Sequence, residues 1–337
     1  MTDQQTHKIQ LSASEIDRQA SQISESTQRL IQRATDTLTG DLAKSTREAY
    51  ALDWANFIEF ADQLAQPYLA ASTEVFVLYL QSMIDTNLAM NTIRRRVAAI
   101  RYYHFENNYP SPTDNVLAKK MLRATTRQVG NYVRQTQALL SDDLKRVIDR
   151  MDISHLTGLR DRSMILLGFA GAFRRSEVMG LRYENLFFMG NNLRIHLVKS
   201  KTDQEQAGLD KPILAEVDSP YCPVNALREW LKASKIRRGY LYRRIRRGHC
   251  LDLNQDKPLS SVAYVNCLKK HCEAIGMDTE FIAGHSLRSG FVTSAALQGH
   301  DALHIAEVTK QDIRTVQKYM RKAKMFEQHA GEKLLGK

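Results

Sequence analysis

Hydrophobic positions recur in threes and fours along most of this chain and switch to alternation once. Tyr50, Trp54, Phe57, Ile58 and Ala61 fall on one helical face. Ser45-Thr46-Arg47-Glu48 reads as a capped start, the serine hydroxyl accepting from an early amide and Glu48 returning the bond. Pro67 ends that region, and Ser72-Thr73-Glu74 caps a helix with Val75, Leu78, Tyr79 and Met83 inward. Asn91-Thr92 opens another, with Ile93, Val97, Ile100 and Tyr103 inward and Arg94, Arg95, Arg96 and Arg101 largely outward. Pro110 and Pro112 close it, and a shorter helix follows from about Asp114 to Thr125. Leu30, Ile31 and Leu38 begin the helical pattern, while residues 1–27 are polar and predict a loose tail. The spacing predicts a small helical bundle over residues 28–128.

From Lys119 to Arg134 there are five basic residues and no acid, with Gly130 and Asn131 towards the end. That composition predicts a basic linker, assigned to residues 129–138, with a second domain over 139–337. Leu140-Ser141-Asp142-Asp143 is a further capped start, and Asp161 to Phe169 is apolar enough for a central buried helix. Arg174 to Leu181 continues as a short helix. The period then becomes two: Leu193, Ile195 and Leu197 point one way, Arg194 and His196 the other. With Leu186 to Phe188 and the turn Gly190-Asn191-Asn192 this is a hairpin, to which Lys211 to Val217 adds a third strand. Pro223 starts a helix through Leu227, Trp230 and Leu231, and the chain from Ser260 on is helical with breaks at Gly276, Gly284 and Gly299. The fold class is mainly α: a helical bundle, then a mostly helical domain with one small antiparallel sheet.

Composition narrows the partner. A net charge of +11 over 337 residues points to a polyanion, and nucleic acid fits better than an anionic membrane surface. No apolar run approaches the about 20 residues that span a bilayer, and Met1-Thr2-Asp3-Gln4-Gln5 lacks the order of a secretory signal. Cys222, Cys250, Cys267 and Cys272 include no C-x-x-C pair, so they read as incidental thiols in a reducing cytoplasm, with no metal site.

Four places can carry phosphate chemistry. Arg174 and Glu177, three apart on a helix, suit a guanidinium that grips two phosphate oxygens and a carboxylate that orients it; a surface ion pair has the same spacing. His285 and Arg288 repeat that spacing after Gly284, on a first helical turn where free amides attract phosphate. Lys201, and by geometry Lys199, sit in the polar turn after the hairpin, where a lysine can protonate a leaving oxygen. Tyr319 follows Ile313 and Val316 at helical spacing behind Asp312 as N-cap. A phenol ionises near about 10 and needs positive charge around it to act as a nucleophile; a half-buried core tyrosine is the plain alternative. Taken in order within one basic domain, Arg, Lys, His-x-x-Arg and Tyr form a phosphoryl-transfer set whose members explain one another.

In these motifs the chain resembles the tyrosine recombinase (phage integrase) family, its phage-type Cre-like members most of all, over nearly everything from about Gln28. Arg174-Arg175-Ser176-Glu177 is similar to the family's Arg-x-x-Glu box, and Lys199-Ser200-Lys201-Thr202 to its hairpin lysine, with Lys201 in the catalytic place. Gly284-His285-Ser286-Leu287-Arg288 matches the His-x-x-Arg box, and Ile313 to Arg321 the nucleophile box. One position departs: where the family has His or Trp nine residues before the tyrosine, this chain has Lys310, beside Gln311.

The resemblance implies a core-binding, SAM-like helical domain and a catalytic domain of the DNA breaking-rejoining fold, gripping opposite faces of duplex DNA. It implies a site-specific recombinase in which Tyr319 forms a 3′-phosphotyrosyl link, with no ATP, metal or other cofactor. Arg174 and Arg288 hold the phosphate, Glu177 braces the site, His285 takes the tyrosine's proton, Lys201 protonates the leaving oxygen, and Lys310 stands at the remaining catalytic position. It also implies a homotetramer on two duplexes with inverted-repeat sites, a docking helix at about 325–337, and a cytoplasmic, nucleoid-associated protein of bacterial, phage or plasmid origin. Candidate DNA contacts are Arg94, Arg95, Arg101, Lys119, Lys120, Arg123, Arg127, Arg134, Lys199, Arg243, Arg244, Ser261 and Tyr264. A type IB topoisomerase, which uses a similar set and works alone, and a DNA-binding descendant without catalysis are the other readings.

Overall fold

The computed structural model describes residues 42–130, 136–198, 208–246, 250–251 and 253–323, together with Thr27 and Leu30. The chain divides into two compact units, Met1–Val133 and Arg134–Lys337. Among the described residues no helix is long and apolar enough to cross a membrane. The leading tail, the docking segment 325–337, Arg134, Lys199 and Lys201 lie outside the described residues.

The first unit holds α1 (Lys44–Gln63), α2 (Thr73–Asp85), α3 (Met90–Glu106) and α4 (Val116–Val129). Its core gathers Phe57, Phe76, Tyr79, Leu80, Met83, Ile93 and Ile100, with the Trp54 and Tyr103 rings stacked 4.8 Å apart. Ser72 caps α2 through the Val75 N–H, as its position predicts. The Ser45-Thr46-Arg47-Glu48 box does not form: α1 already begins at Lys44 behind Ala43, so Ser45 lies inside the first turn. Leu78, expected inward, is exposed, and Phe76 and Leu80 fill the core in its place. The helix expected to about Thr125 forms and runs on through Val129, so the basic stretch from Lys119 is mostly helix; Asn115 caps it at the Leu117 N–H, and Gly130 ends it with φ 75°.

Polar groups also tie the bundle together. His104 is buried, its Nδ1 donating to the Ile100 carbonyl at 2.8 Å and its Nε2 accepting from the Ala71 N–H at 3.3 Å. Asp53 on α1 is 3 % exposed and takes two hydrogen bonds from the Arg95 guanidinium, at 2.7 and 3.0 Å. Arg96 donates to Asn56 Oδ1 at 2.6 Å, so two arginines expected outward fold back onto α1.

The second unit is built on α6 (Leu156–Ala170), whose residues from Arg160 to Gly168 are buried. Around it lie α5 (Ser141–Asp149), α7 (Arg175–Gly180), α8 (Pro223–Ser234), α9 (Ser261–Glu273), α10 (Ser286–Leu297), α11 (Ala302–Thr309) and α12 (Ile313–Ala323). Pro223 starts α8 as predicted, and Trp230 on it is fully buried with its indole N–H on the Leu241 carbonyl at 3.0 Å. Strands β1 (Leu186–Met189), β2 (Asn192–Leu197) and β3 (Leu209–Ile213) form one antiparallel sheet in that order. A two-residue ladder pairs β4 (Ile245–Arg246) with β5 (Cys250–Leu251). The third strand thus ends four residues before Val217. In the β2–β3 register Leu193 faces Ile213, Ile195 faces Lys211 and Leu197 faces Leu209. The inward face of β3 is therefore Leu209, Lys211 and Ile213.

Close backbone approach fixes α10. The Leu139 N–H donates to the Ser286 carbonyl at 3.0 Å, and a Cβ at Gly290 would lie 1.8 Å from the Leu139 carbonyl oxygen. Only glycine leaves that space. Val292 and Ala296 on α10, Ile305 on α11 and Val316 on α12 then form a small separate core, against which Tyr319 packs half-buried.

Candidate active site

Arg174 is the residue before α7, and Glu177 sits in its first turn, 6 % exposed. The carboxylate accepts the Arg174 backbone N–H at 2.8 Å with one oxygen and the Arg174 guanidinium at 2.7 Å with the other. Burial pushes the Glu177 carboxyl up, but those two hydrogen bonds and the charges of Arg174 and Lys211 outweigh it and hold the group below the usual carboxylate value. Glu177 is ionised at neutral pH and fixes the guanidinium's direction.

His285 is the N-cap of α10 and Arg288 lies one turn on. Arg288 is 1 % exposed; Nη1 donates to the Ala172 carbonyl and Nη2 to the Thr309 carbonyl at 2.7 Å. Among the described residues its Nε–H has no hydrogen-bond partner, nor do Thr309 Oγ1 and Gln311 Oε1. Burial, and then the charge of Arg174, push the Arg288 guanidinium down to about 10, opposed by Glu177 and Tyr319. The His285 imidazole is half-buried, and burial followed by the Arg288 and Arg174 charges lowers its pKa. It is neutral at pH 7 and can accept a proton.

Tyr319 rides on α12, which Asp312 starts by accepting the Arg314 N–H at 2.8 Å, as the sequence predicts. Lys310 is the C-cap of α11 in the left-handed region, φ 52°, and is exposed. Arg174, Glu177, His285, Arg288, Lys310 and Tyr319 thus come from three separate stretches; the charges of Arg174, Glu177 and Tyr319 bear on Arg288, and those of Arg174 and Arg288 on His285.

A further member was not seen in the sequence. Lys211 on β3 is 1 % exposed, and its ammonium donates to the Gly171 carbonyl at 2.5 Å and the Val308 carbonyl at 3.1 Å. Burial and then the Arg288 charge bring its pKa down to about 7. The alternation Leu209-x-Lys211-x-Ile213 carried the signal, and the lysine's polarity concealed it.

The expected DNA contacts divide. Lys119, Lys120, Arg123 and Arg127 are exposed on α4, with 119, 123 and 127 at four-residue spacing on one face. Arg94 and Arg244 are exposed, Arg95 is bound to Asp53, and Arg101 pairs with Asp114 at 3.3 Å. Ser261 opens α9 half-exposed. Two expectations fail. Arg243 is 3 % exposed and spends its guanidinium on the carbonyls of Tyr240, Leu253 and Arg238 and on Asp256 at 3.3 Å, so it is a structural residue. Tyr264 is 1 % exposed with its phenol pushed far up by burial, and it fills the space beside Gly168.

Of the cysteines, Cys267 lies with Asp161 and His271, their ligand-type atoms within 4.8 Å of one another. Asp161 already accepts from Arg160 at 2.7 Å and pairs with His271 at 3.1 Å, and burial together with Asp161 pushes the Cys267 thiol well up. Those pairs make an internal ion network with a protonated thiol.

Comparison with known proteins agrees with the motifs. Residues 137–325, more than half of the chain, match the phage integrase family. The chain is 34% identical over 317 residues to an integrase/recombinase xerD homolog of Selenomonas ruminantium, covering 93% of this chain and 92% of the relative. In fold it is similar to the XerH site-specific recombinase bound to palindromic difH substrate, TM-score 0.61 at 17% identity, over 83% of this chain and 77% of that one. It is also similar to the Tn1549 transposon integrase in complex with transposon right end DNA, TM-score 0.57 at 14% identity, over 88% and 98%. The fold and the motif set define a tyrosine recombinase. The chain belongs to the phage integrase family.

Proposed function

We propose that the protein is a site-specific recombinase that cuts and rejoins DNA through a phosphotyrosine at Tyr319. One observation carries this reading: in a chain of this family a buried cluster of positive charge, whose Arg288 Nε–H has no partner among the described residues, bears on Tyr319. A phosphodiester is the anion that such a site accommodates.

In the reaction, the Tyr319 oxygen bonds to the phosphorus as the bond from phosphorus to the 5′-oxygen breaks. The tyrosine's proton passes to neutral His285, and Lys201 supplies a proton to the 5′-oxygen. Arg174, held by Glu177, and Arg288 neutralise the non-bridging oxygens as charge builds there. Lys310 adds a donor from the end of α11. A 5′-hydroxyl from the partner duplex reverses the step, so the bond energy is conserved without ATP. Strand exchange on two duplexes calls for four protomers. A groove of about 820 Å³ lined by Leu144, Phe169, Pro212, Phe291, Ile305 and Val308 offers a seat for the tail segment of a neighbouring copy. The basic outer face of α4 supplies phosphate contacts from the first unit.

The test is to denature reactions with genomic and plasmid DNA, recover what stays bound to the protein, and sequence it. A recurrent inverted repeat and joined products from two-site plasmids are expected. Supercoil relaxation without joined products would replace recombinase by topoisomerase, and no bound DNA would refute cleavage.

A further inference from the structure

Two helix ends meet at the candidate site through two buried cations. Lys211 Nζ reaches the Gly171 carbonyl, just past α6, and the Val308 carbonyl, in the last turn of α11. Arg288 repeats the pattern one residue on, with Nη1 at the Ala172 carbonyl and Nη2 at the Thr309 carbonyl. The last carbonyls of a helix have no partner within it and form the negative end of its dipole. Two such ends repel unless positive charge stands between them. Here an ammonium and a guanidinium do so.

Each helix end runs on into residues of the candidate site. The Gly171–Ala172 turn leads through Phe173, whose ring lies 5.0 Å from the Lys211 ammonium, directly into Arg174. The end of α11 leads through Lys310 to the Asp312 cap and Tyr319. We propose that Lys211 is a positioning residue of the cleavage site: with Arg288 it ties the turn carrying Arg174 to the helix end carrying Lys310 and Tyr319. The role presupposes phosphotyrosine chemistry at Tyr319. Its neighbour across the sheet, Ile195, is apolar, and an ammonium is costly to bury, so a methionine of similar length would sit more easily in that slot. The lysine is accounted for by what it holds.

The test uses the full chain and a duplex recovered from the adducts, nicked beside the scissile phosphate. Lys211→Met should lower single-turnover cleavage at saturating DNA about 100-fold, the scale of a misplacement near 1 Å, while leaving Kd nearly unchanged. Lys211→Arg, which keeps a cation able to span both carbonyls, should retain cleavage within about tenfold. Unchanged cleavage in Lys211→Met while the natural protein cleaves would overturn the positioning role alone. If Lys211→Met does not fold, a folded Lys211→Arg that fails to cleave overturns it equally, and one that cleaves supports it. Absence of any adduct from the natural protein would instead refute the chemistry at Tyr319.

Discussion

Glu177→Gln isolates what the Arg174 clamp is worth. The substitution keeps shape and removes charge. In the native site both carboxylate oxygens accept, one from the Arg174 N–H at 2.8 Å and one from its guanidinium at 2.7 Å. A glutamine can accept one of those bonds, and its amide then turns a donor towards the other donor. The loss is one charge-assisted hydrogen bond at a side chain only 3 % exposed, which amounts to about 1.5–3 kcal/mol. Arg174 is 20 % exposed and can swing to solvent, so the lower half of that range is expected. Swinging misplaces the phosphate grip, and cleavage should fall about 100-fold. The pH dependence comes from the lowered Glu177 pKa: its contribution is present above the unfolded value, near about 4.3, and is lost as pH falls through the folded value. Urea unfolding at pH 7 and at pH 3–4 should show the variant weaker at pH 7 and nearly level with the natural protein in acid. Equal stability at pH 7 with the same acid slope would refute the clamp.

Three further outcomes are expected. Replacing Lys119, Lys120, Arg123 and Arg127 by alanine should weaken DNA binding and flatten its dependence on log salt by about 0.9 per lost phosphate contact, measured by fluorescence anisotropy; an unchanged slope would remove α4 from the interface. Gly290→Val should destabilise the second unit by about 1–3 kcal/mol or more in thermal unfolding, because its Cβ meets the Leu139 carbonyl at 1.8 Å; a native Tm would contradict that packing. Lys310→Ala should slow cleavage about 100-fold while Lys310→His retains more activity, since losing a donor to a developing oxyanion costs about 100–1,000-fold; rates equal to the natural protein's in both would take Lys310 out of the reaction.

The sequence was most legible where geometry is local. The β1–β2 hairpin, the Pro223 start of α8 and the Asp312 cap of α12 depend on a few adjacent residues and stand where the pattern puts them. The candidate site residues could be set in order from the sequence, with Arg174–Glu177 and His285–Arg288 each spaced by about one helical turn. What stayed hidden depends on long-range packing. The Ser45 box is undone because α1 starts before it, and the helix read to about Thr125 runs four residues further, to Val129, before Gly130 ends it. Arg243 and Tyr264 carry DNA-binding residue types, yet the fold buries both. Lys211 and Asp53 are polar residues on inward faces, and their partners lie 40 and 42 residues away in the Gly171 carbonyl and Arg95. No local pattern reports a partner at that distance.

The central claim is that Tyr319 becomes covalently joined to DNA. The direct measurement is mass spectrometry of the adduct after exhaustive nuclease and protease digestion. A nucleotide on the peptide bearing Tyr319, absent from Tyr319→Phe while that variant still binds DNA, is the expected result. A nucleotide on any other residue, or an adduct that survives Tyr319→Phe, would contradict it.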